Sequence, residues 1–471
     1  MSGDNMQAYS QTRHRGLDPA LCILVVLMLC YTLFLTELAF TQFKCFENRL
    51  PIDMAVHNQY LWSTAHGQFL QQTIHYYGGP NHFYIILAIL SPIYRFFDSI
   101  FATLLLYTLI LAAGAIPVYL LAKDHLQSTC WGLIMGIFYL LYPGTQYLNL
   151  QDLKPIILSV TPLLFSFYFW HTKNFRGFLI SLLLASLTTE VVGAFILMYA
   201  PLSWIQKRDR RWILLPLGVG ALLLFICHAV FVPLVSGSTA GYLKDQAFFQ
   251  QIDLLSWQAY KKLFRWLGLG VILLVFCKEA FILAVPYIFY GAISNQIRTH
   301  HYFPLIIVLF ISLIYGLEKA MKSKALQGMA AHPARRVLAV VAVIAAFFAF
   351  DPFLARPKYH FSMPPWGDDA CALIQRIPQQ ASVSCDSRLL PALSLRPVLH
   401  EFARRQYHGK TIDCLAVDYI LIQPKGPLKK NIMQSNYAEN AQQLLNESRE
   451  GRSGFEIIET RGDWVLFHRK S

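Results

Sequence analysis

The chain has 471 residues, 55% of them hydrophobic and 14% charged, a balance that excludes an ordinary soluble domain of this length. Its formal charge of +13 is not arranged as a stripe of alternating basic and aromatic residues, so nucleic-acid binding is set aside and the charge reads as a membrane-topology signal. The nine cysteines include no C-x-x-C pair, which speaks against a zinc or redox centre. Cys371, Cys385 and Cys414 leave a disulfide open if the C-terminal part is exported.

A bilayer core of about 30 Å takes roughly 20 apolar residues per helix. The first run, 20–40, is longer than a signal-peptide core and no small-residue cleavage site follows it, so it reads as an uncleaved span. Further spans are predicted near 100–122, 128–143, 155–171, 176–189, 191–205, 212–235, 264–277, 280–294, 303–318 and 336–354. The run 82–97 carries Pro92 and Arg95. If it lies along the membrane surface, the N-terminal tail, Lys123, Lys173, the cluster KRDRR at 207–211, Lys278, Lys319, Lys322, Lys324 and Arg335 all share the cytoplasmic side. If it crosses, KRDRR is left outside, so a juxtamembrane helix is the expectation. Short spans meeting at the polar turn LTTEVV point to a cavity on the outer side.

The expected architecture is therefore an α-helical polytopic membrane protein with about eleven transmembrane helices plus juxtamembrane helices. Residues 1–19 form a cytoplasmic tail and 20–354 the membrane domain, with an outer loop at 41–99. Residues 355–471 form a small C-terminal α/β extracytoplasmic domain, with a helix near 367–376 and strands at ASVSCDS and VDYILIQP. A second helix is expected near 432–446, followed by a hairpin turning at Arg461-Gly462-Asp463.

Polar residues gather in four places. The stretch PIDMAVHNQYLWSTAHG, 51–67, holds Asp53, His57, Asn58, Gln59, Trp62 and His66, with His75 and His82 further on. On a helix starting at Asp53, residues 53, 57 and 60 share one face and 58, 62 and 65 another. Asp53, close after Pro51, is expected to cap that helix, a role that does not exclude chemistry. The histidines read more simply as hydrogen-bonded interfacial residues than as metal ligands. The stretch YPGTQYLNLQDLKP, 142–155, holds Asp152 and Lys154, for which a solvated loop ion pair is the plainest expectation. Glu190 sits at the turn between two short apolar segments, an expensive place for an acid unless it faces a cavity. Last, NQIRTHHYFP, 295–304, gives Arg298, His300, His301 and Tyr302, suited to holding a phosphate or equally to an interfacial basic belt.

In their order, PIDMAVHNQYLWSTAHG, NHFYIILAILSPIY, AAGAIPVYLLA, YPGTQYLNLQDLKP, LTTEV and HHYFPLIIVLFISLIYGL resemble the predicted bacterial membrane-protein family called domain of unknown function 2079. The resemblance covers about residues 45–320, and IPQQASVSCDSRLLPALSLRP and VDYILIQP in the tail look similar too. Order and spacing carry it; no single motif does. That family is in turn similar to the GT-C glycosyltransferases, polytopic enzymes that use polyprenyl-phosphate-linked sugars and place an acid of the first outer loop at the catalytic centre. The resemblance implies a GT-C-like membrane domain in a bacterial cytoplasmic (inner) membrane, with Asp53 as that acid and 82–97 lying along the membrane. Four positions depart from the family pattern. Asn58 stands where a second acid is usual, Asn81 where an Asp precedes the His-Phe pair, Lys154 where Asp-Phe-His-Pro has His, and Thr189 where a Lys precedes the acid.

By this resemblance the chain is expected to move a sugar from a polyprenyl-phosphate-linked donor to an acceptor at the outer face of the membrane. Asp53 would act as general base or help bind a divalent metal ion, and Asp152 and Glu190 would orient sugar or acceptor. Lys154, Arg298, His300 and His301 would hold the leaving phosphate, and His57, Asn58, Gln59, Trp62, His66, His82 and Tyr302 would complete the substrate site. Two other readings stay open. A transporter or lipid flippase would gather polar residues near the bilayer midplane, and a non-enzymatic membrane scaffold would have no shared site. Membrane lipid is the expected surrounding partner, and the sequence carries no signal for oligomeric state.

Overall fold

A computed structural model describes residues 18–74, 78–97, 99–236, 274, 277–293, 303–322, 361–402, 406–407, 410–411, 413–425 and 436–470. Within them the chain is mostly helical, with a small sheet toward the C-terminus. Helix α1, Pro19–Lys44, starts at an Asp18 cap and Pro19, and exposes Ile23, Leu29, Leu33 and Phe34 along one side while burying Leu24, Met28, Tyr31 and Leu35 on the other. A strongly apolar helix with an exposed apolar side is what a lipid-facing helix requires. After it come α2, Pro51–Ala65, and two short pieces, α3, Ile85–Leu90, and α4, Ile93–Phe96, separated at Ser91-Pro92.

The helical body continues with α5 (Ile100–Ala112), α6 (Ala115–Leu126), α7 (Thr129–Leu141) and α8 (Pro143–Asn149). A 3-10 turn, Pro155–Ser159, leads into α9 (Val160–His171), followed by α10 (Phe175–Ser186), α11 (Val192–Leu197), α12 (Tyr199–Ile205) and α13 (Arg210–Ile226). A π-helical turn, Cys227–Phe231, joins α13 to α14, Val232–Ser236. Two more described helices, α15 (Lys278–Ile293) and α16 (Leu305–Lys322), follow.

Among the described residues, three helical runs can cross a membrane by length and composition: Pro19–Lys44, Ile100–Leu126 and Arg210–Val235. The expected count of about eleven is not established by the described helices. Apolar runs such as Thr129–Leu141, Phe175–Ser186 and Val192–Ile205 are short, and polar turns such as Leu187–Val191 separate them. The spans expected at 264–277 and 336–354 lie outside the described residues, apart from Leu274 and Cys277. The stretch 82–97 contains only α3 and α4, each far shorter than a bilayer-spanning helix. Close packing inside the body uses small residues where helices meet. A Cβ built on Gly220 of α13 would lie 2.8 Å from the Gly193 carbonyl oxygen of α11, so a larger residue there would force the two helices apart.

The C-terminal part follows the expected alternation closely. Helix α17, Gly367–Ile374, precedes β1, Val383–Cys385, then β2, Leu399–Glu401, and β5, Tyr419–Ile422. Helix α18, Tyr437–Arg449, leads to the hairpin β6, Phe455–Arg461, and β7, Trp464–Arg469, with Gly462 in the left-handed turn at φ 52°. The strands order as β2-β1-β5-β7-β6, with β1 parallel to both β2 and β5 and the rest antiparallel. A separate two-stranded ladder pairs β3, Gln406–Tyr407, with β4, Lys410–Thr411. All nine cysteines are free thiols, so the tail disulfide left open by the sequence is not formed.

This sheet domain is not tethered at a distance. Leu389, Leu390 and Leu393, on the β1–β2 connection, are fully or almost fully buried in the same core as Met54, Ala55 and Leu61 of α2. Thr73 fastens the edge: its Oγ1 accepts from the Leu399 amide at 2.8 Å and donates to the Leu399 carbonyl oxygen at 3.0 Å, while His400 Nδ1 lies 2.7 Å from the Thr73 carbonyl oxygen. Thr73→Val keeps the shape but strands two buried backbone groups, a loss of about 1–3 kcal/mol for each group left unsatisfied. The variant is expected to lower the thermal midpoint in detergent and speed proteolytic release of the C-terminal domain; unchanged proteolysis would show that the domain is held elsewhere.

Candidate functional site

Helix α2 starts one turn earlier than its acid suggests. Leu50 is the N-cap, with no side-chain cap bond, and Pro51 takes the first helical position, its fixed φ suiting that place. Asp53 is therefore in the first turn and does not cap the helix, which corrects the capping expectation. Its carboxylate pairs instead with the Lys154 ammonium.

The turn that supplies Lys154 is built by its neighbour. Asp152 has φ 62°, a left-handed conformation that Asp tolerates better than most residues, and the Lys154 amide donates to the Asp152 carbonyl oxygen at 3.0 Å. The two side chains leave this turn in different directions. Asp152 accepts from Asn48 Nδ2 at 3.1 Å and from the Leu50 amide at 2.6 Å, anchoring the segment that enters α2. The solvated Asp152–Lys154 pair expected from the sequence is thus replaced by two separate, buried engagements, with Asp152 7% and Lys154 5% exposed. Burial raises the Asp152 pKa above the usual carboxylate value even though its hydrogen bonds pull the other way.

One turn along α2, His57 is buried and its Nδ1 has no hydrogen-bond partner. Burial pushes its pKa down to about 3, with the Lys154 charge acting in the same direction and Asp53 opposing, so the ring is neutral at physiological pH. Its ring meets Tyr84 edge-on at 5.3 Å between centroids, and Tyr84 lies 5.2 Å from the His82 ring. His82 Nδ1 in turn lies 2.7 Å from Glu190 Oε1. Glu190 also accepts from the Phe83 amide at 3.0 Å and the Thr189 hydroxyl at 3.1 Å. Burial pushes the Glu190 carboxyl up, but the His82 charge and hydrogen bond together with the Phe83 amide outweigh it and hold the group well below the carboxylate range. The turn carrying Glu190 is fastened to α3 by the Ile86 amide, which donates to the Leu187 carbonyl oxygen at 2.8 Å.

Asp53, Lys154, His57, His82 and Glu190 thus form one row, drawn from four separate parts of the chain, with Asp152 two residues before Lys154. Tyr84, which the sequence did not single out, bridges its two halves; its place two residues after His82 was the available signal. Asn58 and Gln59 face another way. Asn58 Nδ2 donates to Ser394 Oγ at 3.0 Å and its Oδ1 accepts from Tyr94 at 2.8 Å, while Gln59 binds the Arg396 carbonyl oxygen at 3.3 Å and the Thr73 amide at 2.9 Å. Trp62 and His66 stack on each other at 4.1 Å at the far end of α2, about 20 Å along the axis from Asp53 to His66. Arg298, His300, His301 and Tyr302, and also His75, lie outside the described residues.

The donor set does not fit a divalent cation. Asp53 holds an internal ammonium, and among the described residues no group of three His, Cys, Asp or Glu side chains is placed to ligate a metal. An open groove of about 520 Å³ is lined by Gln68, Phe69, Gln71, Phe231, Leu234 and Val235, past the far end of α2 from Asp53. Phe231 of its wall packs edge-on against Phe83 at 4.9 Å, the residue whose amide donates to Glu190.

Apolar helices long enough to span a bilayer and a small appended sheet domain define a membrane protein. Residues 51–466 match the family described as "Predicted membrane protein (DUF2079)", and the chain belongs to that family. A search of curated proteins gave no match.

Both His57 and Glu190 have folded-state pKa values below their ordinary ones, so each contributes stability at higher pH that is lost on acidification. The windows differ. His57 acts from its ordinary value of 6.5 down to about 3, Glu190 only from about 4.5 downward. In thermal unfolding against pH, His57→Gln is expected to flatten the profile from about pH 6.5, and Glu190→Gln only below about pH 4.5. Identical profiles for both variants and wild type would contradict this assignment.

Proposed function

We propose that the protein is a membrane glycosyltransferase that moves a sugar from a polyprenyl-phosphate-linked donor to an acceptor hydroxyl. The observation that carries the reading is the row of ionisable groups around the Asp53–Lys154 pair, gathered from distant parts of the chain into one largely buried place. Such groups are costly in a membrane protein unless used.

In this reading Lys154 offers its ammonium to the phosphate of the donor, and Asp53 orients Lys154 and accepts the proton of the acceptor hydroxyl as the bond to the sugar forms. Phosphate is already a good leaving group, so positioning and charge stabilisation matter more than a strong acid. His57, neutral and with an unpartnered Nδ1, can bond a sugar or acceptor hydroxyl. The His82–Glu190 pair would orient the same substrate, and the groove along Phe69, Phe231 and Leu234 would take the hydrocarbon chain. No step needs a metal.

A scaffold role draws on one observation of its own: Asn58 and Gln59 serve the docking of the C-terminal domain. Native mass spectrometry of the purified protein beside Asp53→Asn separates the two. A transferase retains a polyprenyl phosphate or its glycosylated form, and the variant accumulates the sugar-charged lipid; absence of any such lipid from both proteins favours the scaffold.

A further inference from the structure

The end of the helical body opposite the Asp53–Lys154 pair carries a feature that the proposed reaction does not use. Helix α9, reached from Lys154 through the 3-10 turn Pro155–Ser159, ends at His171, where the following turn packs against the turn joining α12 to α13. Arg208 holds the two turns together. Its Nη1 donates to the Trp170 carbonyl oxygen at 2.5 Å, and its guanidinium lies 4.0 Å from the Trp170 ring centre and 5.0 Å from that of Trp212. Arg211 covers Phe175 at 4.9 Å, and Phe175 meets Trp212 edge-on at 5.1 Å.

These turns bring Lys173, Arg176, Lys207, Arg208, Arg210 and Arg211 onto one platform, all but Arg208 exposed. The acid within the two turns is Asp209, 3.5 Å from Arg211. Two acids on packed neighbours are engaged: Glu279 by Gln206 at 3.2 Å, and Glu318 by His125 at 2.8 Å and Lys322 at 2.6 Å.

Two observations indicate what the platform faces. Trp204, Ile205, Ile180 and Leu214, on the helices leading into and out of the turns, are large hydrophobics left exposed, Trp204 by 70%. In a membrane protein such a flank faces hydrocarbon, with an aromatic near the interface, and this puts the cations at headgroup level. In addition, α9 and α12 each hand over to a lysine in the left-handed conformation, Lys173 at φ 59° and Lys207 at φ 53°. Glycine is the residue that this position after a helix favours. Lysine stands there twice, against the backbone's preference, once in each of the two packed turns.

We propose that the platform binds the phosphate headgroup of an anionic phospholipid, with the exposed apolar flank against its acyl chains. The test is native mass spectrometry of the purified full-length protein, exchanged against equimolar phosphatidylglycerol and phosphatidylcholine. Wild type is expected to retain phosphatidylglycerol preferentially, and less so as ammonium acetate is raised, because exposed charges are screened by salt. Lys173→Gly combined with Lys207→Gly is expected to cut the preference about tenfold at low salt. The same variant should match or exceed the wild-type thermal midpoint, since glycine relaxes both turns. Arginine at both positions should keep the preference. Equal retention of the two lipids by wild type overturns the proposal, and so does a glycine variant with the whole preference intact. Should that variant unfold, Arg210→Gln with Arg211→Gln, both at exposed positions, gives the same two-way reading.

Discussion

The ion pair between Asp53 and Lys154 is the constraint around which this end of the molecule is arranged. A lysine side chain only 6% exposed cannot stay charged without a counter-charge close by, and Asp53, 25% exposed, supplies it from a different segment. The pair therefore ties the first turn of α2 to the 152–154 turn. On each side a local feature aims its group at the other. Pro51 starts the helix so that Asp53 falls in its first turn, and the left-handed Asp152 turns the chain so that Lys154 points back at it. Asp152 then closes the arrangement by holding Asn48 and the Leu50 amide.

The C-terminal domain belongs to the same construction. Helix α2 presents Asp53 and His57 to the ionisable row and Asn58 and Gln59 to the β1–β2 connection, so the helix is gripped from both faces. Tyr94 of α4 bonds the same Asn58 amide that meets Ser394, which brings the short helices of the 82–97 stretch into the clamp. A rotation of α2 would break both sets of contacts at once. The rigidity of the candidate site thus depends on a domain that begins some 300 residues later in the chain.

Composition and periodicity made the membrane class, the C-terminal helices, the principal strands and the hairpin at Gly462 legible, because each follows from a local pattern. They could not show the length of individual helices. An apolar run looks alike whether it crosses a bilayer or folds back at a polar turn such as Leu187–Val191. In the site, Asp53, Lys154, His82 and Glu190 were legible as ionisable groups beside apolar segments, but their partners were not. Nothing local in Asp152-Leu153-Lys154 says that the lysine reaches back to Asp53 while the aspartate turns to Asn48. Likewise Asn58 and Gln59 look like ligand-binding amides by type, and their engagement with Ser394 and Arg396 is a long-range contact that no local pattern encodes.

A double-mutant cycle on the central pair tests this account most directly: thermal unfolding in detergent of wild type, Asp53→Asn, Lys154→Met and the double variant. Asp53→Asn leaves the buried Lys154 without its counter-charge, and Lys154→Met leaves the half-buried Asp53 without its own. The double change is therefore expected to cost less than the sum of the two, by a coupling of about 1–3 kcal/mol. Strictly additive losses would mean that the two groups do not depend on each other, and would contradict the account.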